Sequence, residues 1–249
     1  MLAIGIDIGS TSAKTAAVKD GDLVFTKVVP TGYNSVDAAD RLKEDLSNAG
    51  YPIEDADGIV ATGYGRISVP FADRTITEIT CHGKGAAFLF EGDMTVIDIG
   101  GQDTKAVQLR NGHVDKFLMN DKCSAGTGKF LEVMANRLGL TLTELCELAR
   151  NGEETPISSM CTVFAESEVI SLIGKGTPRE NIARGVIDSV VTKVCSLVNR
   201  VGGTNFALTG GLCDESYIVE ALSKALGGPV LTCPNARYAG AIGAALSVK

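Results

Sequence analysis

Residues 6–18 read "IDIGSTSAKTAAV" and residues 97–109 read "IDIGGQDTKAVQL". Both stretches begin with Ile-Asp-Ile-Gly, and both carry a lysine at the same later position, Lys14 and Lys105. In each copy an apolar run typical of a buried strand ends at an aspartate, a glycine turn follows, and a second strand-like run begins. One such glycine motif can arise by chance as a strand followed by a turn, but the repetition of the aspartate and the lysine argues against this. The repeat predicts one α/β unit used twice.

The sequence around each copy follows the same order of strands and helices. The first copy has three strand-like runs, a helix, a buried strand and a second helix, at residues 2–9, 12–21, 23–31, 35–49, 58–63 and 77–92. The second copy has predicted strands at 94–100, 103–112, 113–121, 205–211 and 229–233, and predicted helices at 127–138, 143–150, 162–173, 180–201, from about 214, and at 236–246. We expect two domains, residues 1–92 and 93–249, joined by a hinge, with the last helix packing back toward that hinge.

Composition excludes several classes of protein. The chain has 249 residues, 45% of them apolar, which is enough for a large buried interior. A net charge of −7 and a pI near 5.0 argue against nucleic acid or an anionic membrane as the main partner. The apolar runs are too short to cross a bilayer, and because "MLAIGID" reads directly as a strand we expect no export signal. Seven cysteines without such a signal favour the reducing cytoplasm over a disulfide framework.

The first glycine turn is a candidate phosphate-binding site. Glycine lets the main chain approach an anion closely, and successive backbone N–H groups can then bind phosphate oxygens. Gly9 supplies this backbone, and Ser10, Thr11 and Lys14 are candidates to hold the β- and γ-phosphates of a nucleotide.

The second glycine turn has a different set of polar residues. Gly100, Gly101 and Asp103 are candidate nucleotide ligands, and Gln102 is a candidate to orient an attacking water. For Lys105 the alternative is that it only leads out of the turn.

The aspartates before the two turns, Asp7 and Asp98, are the candidate catalytic carboxylates. We expect them to face each other across a cleft between the halves and to bind Mg²⁺ through its water molecules, because this ion keeps most of its waters. A third glycine turn, Gly210 and Gly211 in "ALTGGLCDES", lies between a predicted strand and a helix, a setting that can support an adenosine. "CSAGTGKF", from Cys123, is not a P-loop, since it lacks the first glycine and a hydroxyl residue after the lysine.

Five longer blocks resemble one protein family: "TGYGR" at 62–66, "TEITCHGKGA" at 77–86, "IDIGGQDTK" at 97–105, "MNDKCSAGTGKFLEV" at 119–133 and "SMCTVFAESEVISL" at 159–172. They are similar to the ATP-dependent activators of 2-hydroxyacyl-CoA dehydratases and the ATPase subunits of benzoyl-CoA reductase, the BadF/BadG/BcrA/BcrD type. This family belongs to the superfamily of acetate and sugar kinases, Hsp70 and actin. The resemblance implies an α/β fold of two tandem ribonuclease H-like, actin-like ATPase domains, with a cleft between them for ATP or ADP and Mg²⁺.

The resemblance also implies a redox cofactor. Activators of this family are homodimers that hold one 4Fe–4S cluster between the subunits, with two cysteines from each, and the matching positions are Cys123 and Cys161. ATP binding and hydrolysis reshape the dimer, and one low-potential electron passes to an iron–sulfur partner enzyme, a dehydratase or a related reductase. The implied electron donor is a reduced ferredoxin or flavodoxin in an anaerobic cell.

Read without the family, the cysteines give mixed support for a cluster. Their spacing argues against it, because neither lies in a C-x-x-C motif and a free cysteine is commonly a small buried apolar residue. Each of the two immediately precedes a predicted helix, however, whose free N–H groups and dipole favour thiolates. The remaining cysteines are expected to be packing residues: Cys81, Cys146, Cys195, Cys213 and Cys233.

Three functions are compatible with these residues. The first, which we favour, is an ATP-driven electron-transfer activator. The second is a small-molecule kinase of the sugar type on the same scaffold, which needs a catalytic aspartate beside an acceptor pocket that no segment clearly provides. The third is a non-catalytic nucleotide-binding or assembly protein. A glycosidase is disfavoured, because Glu166 and Glu168 fall on opposite faces of a predicted helix and cannot form an acid/base pair.

Overall fold

The computed structural model describes residues 1–120, 123–158 and 161–249. Its first half has strands β1 (Leu2–Ile8), β2 (Ser12–Lys19) and β3 (Asp22–Pro30), helix α1 (Ser35–Asn48), strands β4 (Gly58–Thr62) and β5 (Arg74–Thr75), and helix α2 (Glu78–Leu89). Its second half has strands β6 (Met94–Ile99), β7 (Thr104–Arg110) and β8 (His113–Asn120) and helices α3 (Gly128–Arg137), α4 (Leu142–Ala149), α5 (Thr162–Gly174) and α6 (Arg179–Val201). It ends with β9 (Phe206–Gly210), α7 (Ser216–Leu226), β10 (Val230–Leu231) and α8 (Ala239–Ala245).

The two sheets have the same strand order. The first runs β3-β2-β1-β4-β5 and the second β10-β9-β6-β7-β8, so in both the first strand of the repeat lies between the second and the fourth. Strand β1 is antiparallel to β2 and parallel to β4, and β9 is parallel to β10. The predicted repeat of an α/β unit is therefore confirmed, and β5 is the one strand of the first sheet that the sequence pattern did not indicate.

The chain divides into two compact units that interleave along the sequence. One consists of Met1–Val96, Val107–Lys116 and Cys233–Lys249, and the other of Ile97–Ala106 and Phe117–Thr232. The predicted domain ranges are continuous, whereas the first compact unit takes in three separate segments, including the last helix. The division falls within β6, β7 and β8.

The core of the first unit explains why its elements form where they do. Helix α1 begins after Asn34, whose side chain accepts a hydrogen bond from the backbone N–H of Val36. Its apolar face, with Leu42 and Leu46 fully buried, packs against the isoleucines of β1. Burial of each such side chain contributes about 1.5–3 kcal/mol to folding.

Helices α2 and α8 of the first unit approach each other with their backbones almost in contact. A Cβ atom at Gly85 would collide with the carbonyl of Ala239, and one at Gly243 would collide with the carbonyl of Cys81. The small residues of "AGAIGAA" are what allow this approach, and every residue of α8 is buried. The predicted helix from 77 to 92 ends earlier, at Leu89.

No helix among the described residues has the length and apolar character needed to cross a bilayer.

Candidate functional site

Asp7 lies at the end of β1 and is enclosed by backbone. Its side chain is buried, and Gly63 and Gly240 pack directly against it, since a Cβ atom on either would collide with a carboxylate oxygen. Gly63 has φ of +86°, a left-handed conformation that favours glycine. Two glycines therefore leave just enough room for one carboxylate at the end of the strand.

The turn after Asp7 is closed by hydrogen bonds that leave its side chains accessible. The N–H of Gly9 donates to the carbonyl of Ser12 (3.1 Å), and the hydroxyl of Thr31 donates to the carbonyl of Gly9 (2.7 Å). Ser10 and Thr11, two of the predicted phosphate ligands, are exposed. The turn is thus anchored to the end of β3 through Thr31 while its hydroxyls remain free to meet a ligand.

Lys14 lies opposite Asp7 on the neighbouring strand. The two residues are register partners on β1 and β2, and Lys14 is half-buried. This position is compatible with the predicted role of Lys14 as a phosphate ligand.

Asp98 occupies the corresponding position at the end of β6, but its charge is paired. The ammonium of Lys105 lies 3.3 Å from a carboxylate oxygen of Asp98 and 2.8 Å from one of Asp103. Lys105 is only 1% exposed, which makes it one of the largest fully buried side chains. The hydroxyl of Thr209 also donates to Asp98, at 3.4 Å. The alternative that Lys105 only leads out of the turn is therefore wrong.

The second turn is hydrogen-bonded to the start of α3. The N–H of Gly128 donates to the carbonyl of Gly100 (2.9 Å) and that of Lys129 to the carbonyl of Gly101 (2.8 Å). These are two of the N–H groups that a helix leaves unpaired at its start. Gly100 closes its own turn by donating to the carbonyl of Asp103, at 2.9 Å. The second turn and the segment that carries Cys123 are consequently one hydrogen-bonded structure.

Two further residues complete this second turn. The hydroxyl of Thr104 donates to the carbonyl of Gly126 at 2.7 Å in a buried setting, which is a second link to the same segment. Gln102, the predicted water-positioning residue, is exposed at the tip of the turn. The sequence did not predict a role for Thr104 or for the start of α3. Both links end on backbone carbonyls, which every residue has, so no residue type reveals them.

Gly210 and Gly211, the predicted adenosine turn, have different surroundings. Gly210 has φ of +82°, and a Cβ atom there would meet a carboxylate oxygen of Asp98 and the carbonyl of Ile99. It therefore packs on Asp98 as Gly63 packs on Asp7. Gly211 is exposed, with open space where a Cβ atom would lie.

Cys123 and Cys161 are brought together by the residues that follow them. The hydroxyls of Ser124 and Thr162 are 2.9 Å apart and share a hydrogen bond. Cys123 is exposed and Cys161 is half-buried. Cys161 is the N-cap residue of α5, as predicted. Cys123 lies five residues before α3, whose N-cap is Thr127, so the prediction that Cys123 immediately precedes a helix is wrong.

The side chains of Asn120 and Lys193 act on the segment that carries Cys123. The side chain of Asn120 donates to the carbonyls of Cys123 (3.0 Å) and Ala125 (3.1 Å), which fixes the path of the segment. Burial lowers the pKa of Lys193, whereas Cys123 and Cys161 both raise it. One lysine of α6 is thus within electrostatic reach of both thiols. Residues 121–122 and 159–160, which belong to two of the family-like blocks, lie outside the described part of the chain.

The other cysteines have the packing roles predicted for them, except that Cys233 is only half-buried. Burial raises the pKa of Cys146 to about 12, and it also raises the pKa of Cys81 and of Cys195. A thiol with a raised pKa stays protonated, and a metal ligand must be a thiolate. Among the described residues, no group of three or more His, Cys, Asp or Glu side chains is arranged to hold a metal ion.

The charged residues to which the sequence assigned no P-loop or acid/base role are paired with their neighbours. Lys129, in the segment that resembles a P-loop, forms an ion pair with Glu132 at 3.1 Å. Glu166 pairs with Arg137, and Glu168 accepts hydrogen bonds from Ser158 at about 3.1–3.4 Å. The two glutamates thus have separate partners and do not form a carboxylate pair.

Two sheets of one strand order, each with an aspartate and a glycine turn at the end of its first strand, define an α/β protein of the actin-like ATPase class. Within that class the chain belongs to the BadF/BadG/BcrA/BcrD ATPase family, whose model matches residues 4–248. It is 46% identical over 250 residues to the activator of lactoyl-CoA dehydratase from Anaerotignum propionicum, covering 99% of this chain and 96% of that one.

Solved structures agree with this assignment. The crystal structure of (R)-2-hydroxyglutaryl-CoA dehydratase component A from Acidaminococcus fermentans superposes with a TM-score of 0.94 at 44% identity, covering 99% of this chain and 96% of that one. The activator of the 2-hydroxyisocaproyl-CoA dehydratase from Clostridium difficile, solved with bound ADPNP, superposes with a TM-score of 0.93 at 41% identity, covering all of this chain and 94% of that one. The predicted family and fold class are therefore confirmed.

Proposed function

We propose that this protein is an ATP-hydrolysing homodimeric activator that passes a low-potential electron to an iron–sulfur enzyme of the 2-hydroxyacyl-CoA dehydratase type or a related reductase. The observation that carries the proposal is the single hydrogen-bonded structure that joins the second phosphate turn to the paired cysteines. Relatives with 46% and 41% identity are activators of such dehydratases, and one of them was solved with an ATP analogue. The working environment is an anaerobic cytoplasm, with a reduced ferredoxin or flavodoxin as donor.

The nucleotide roles follow from the two turns. Gly9, Ser10, Thr11 and Lys14 would bind phosphate in the first turn, and Gly100, Gly101 and Asp103 would do so in the second. Asp7 and Asp98 would bind hydrated Mg²⁺, Gln102 would orient the attacking water, and Gly211 would leave space for the adenosine beside Gly210. This division is supported by exposure, because Ser10, Thr11 and Gln102 are accessible while both carboxylates are held rigidly by buried surroundings.

The cysteine pair fits half of a 4Fe–4S centre. Such a centre takes four thiolates, and each copy of the chain offers two thiols held together by the Ser124–Thr162 hydrogen bond. The start of α5 adds a positive helix dipole at Cys161, and Lys193 adds a positive charge, both of which suit an anionic group. When bound, the cluster would supply one-electron transfer at low potential.

A second copy of the chain is the partner that completes this site. Helix α5, which starts at Cys161, exposes Val163, Phe164, Ile170 and Ile173, with 65%, 68%, 49% and 45% of each accessible. Apolar side chains exposed together in this way mark an interaction surface. A two-fold axis near the start of α5 would bring both cysteine pairs together and cover these side chains, since an isologous contact uses the same surface twice.

The link from nucleotide to cysteines passes through the second turn. A ligand that contacts Gly100 and Gly101 differently before and after hydrolysis would shift the carbonyls that accept from Gly128 and Lys129. The segment that carries Cys123 would move with them, and Thr104 would transmit the same shift through Gly126. No observation of comparable weight favours the small-molecule kinase.

The test is iron content after anaerobic purification and reconstitution. The unaltered protein should bind about four irons per dimer, while Cys123→Ser and Cys161→Ser should bind none and still bind ATP. Cys233→Ser, a change of a half-buried cysteine elsewhere, is the matched control and should keep its iron. Full iron in both Ser variants would remove the ligand assignment, and absence of iron from the unaltered protein would remove the proposed function.

A further inference from the structure

A cavity of about 370 Å³ opens beside Cys123 in the second compact unit. Its walls come from the Cys123 segment, from β7 and β8, and from one side of α6. Thr104 and Gly126 line it together with Cys123, and α6 contributes Lys193. The cavity therefore brings the lysine, the thiol and the link to the second phosphate turn into one space.

The stem of Lys193 is held in place by its neighbours. Gly126 has φ of +90°, and a Cβ atom there would lie 3.2 Å from the Cβ of Lys193 and 3.5 Å from its Cδ. At the other end, the ammonium lies 5.1 Å from the centre of the Phe130 ring, within cation–π range. Lys193 is thus a partly buried charge in a fixed position rather than a surface lysine that moves freely in water.

Lys193 and Cys123 line the same cavity, so the ammonium is a neighbour of the cysteine pair. Burial lowers its pKa, and the groups that raise it are the thiols of Cys123 and Cys161. In a partly buried site a charge acts more strongly than in bulk water, because the effective dielectric constant is lower. A fixed positive charge near two thiolates stabilises the more negative of the two redox states of a group that both thiolates bind.

We propose that Lys193 is a positioning residue that raises the reduction potential of the centre held by Cys123 and Cys161. This inference rests on the proposed function, and it concerns a residue to which the family assignment gave no role. Reduction adds one negative charge near the ammonium, so the lysine stabilises the reduced form over the oxidised one. The neutral chain of methionine has nearly the same length and would keep the contacts with Gly126 and Phe130 while it removes the charge.

The test is a redox titration of anaerobically reconstituted protein, followed by EPR. Lys193→Met should bind the same iron as the unaltered protein, but its equilibrium with a reference mediator should shift roughly tenfold toward the oxidised form, which is about 59 mV for a one-electron couple. Lys193→Arg keeps the positive charge, so its potential should remain close to that of the unaltered protein. Lys224→Met, an exposed lysine of α7 and the same change in net charge, is the matched control and should titrate like the unaltered protein.

The outcomes separate this inference from the proposed function. An unaltered protein without iron contradicts the function. A loaded Lys193→Met protein with an unchanged potential contradicts the inference and leaves the function intact. Loss of iron from Lys193→Met overturns the inference, because Lys193 would then be needed to hold the centre rather than to set its potential.

Discussion

The two copies of the Ile-Asp-Ile-Gly turn place the same residue types in different electrostatic settings. In the first copy, Asp7 is surrounded by glycine backbone and Lys14 is half-buried on the next strand. In the second, Lys105 is fully buried and lies 3.3 Å from Asp98. The backbone of the turn is repeated faithfully, while the charges have diverged. A repeated sequence therefore fixes the path of the chain more firmly than it fixes the task of each side chain.

The attachment of the two turns differs as well. The first is held by Thr31, at the end of β3, and the second by the start of α3 and by Thr104. Among the described residues, the second attachment leads to Cys123 through Gly126 and the segment before it. In the proposed mechanism the second turn would therefore carry the effect of hydrolysis to Cys123, and the first would hold phosphate.

The largest expected effect comes from removing the buried lysine. Lys105→Met leaves Asp98 and Asp103 without their shared cation, and breaking a buried ion pair in this way costs about 3–5 kcal/mol of unfolding free energy. Lys14→Met, at the equivalent position of the first copy, should cost less than about 1 kcal/mol, because that side chain is half-exposed. Urea unfolding of both variants measures the difference, and equal losses would show that the two settings are alike.

The next effect is on hydrolysis and compares the two carboxylates. Asp7→Asn and Asp98→Asn should each slow ATP turnover by about a hundredfold, since each removes a charge that would position Mg²⁺. Only Asp98→Asn should also lower the unfolding free energy, because it alone leaves the ammonium of Lys105 with one fewer anion. Steady-state phosphate release and urea midpoints are the measurements, and a variant with normal turnover would lose its place in the mechanism.

The smallest effect tests the attachment of the turns. Thr104→Val leaves the buried carbonyl of Gly126 without its donor, a loss of about 1 kcal/mol, so a chelator should remove iron roughly fivefold faster. Thr31→Val makes the matched change in the first turn and should leave the chelation rate unaltered. The same rate in both variants would mean that the second turn is not coupled to the cysteines in particular.

Much of the fold could be predicted from the sequence because hydrophobic periodicity and glycine turns mark most of its elements. The exception is β5, which consists of two exposed residues, Arg74 and Thr75, and carries no apolar pattern to reveal it. Helix α2 ends three residues before its predicted limit, because Phe90 already has an extended backbone. Such local errors did not change the order of the strands.

The site could be predicted less completely, and the reason is the nature of the contacts. The repeat identifies the aspartates and glycines, but it does not predict the burial of Lys105, because lysines usually lie on the surface. The closeness of Cys123 to Cys161 depends on a hydrogen bond between hydroxyls on separate segments. Lys193 lies on a third segment, so only tertiary structure brings it to the pair.

The interleaving of the chain has a consequence for biosynthesis. Helix α8 lies near the end of the sequence, yet it belongs to the same compact unit as Met1–Val96 and packs on β1, β2 and β4. Domains commonly fold as they leave the ribosome, the amino-terminal one first. Here the first unit must wait, with one face of its sheet uncovered, until translation has passed α8, so a stalled or shortened product would expose that face to chaperones and proteases.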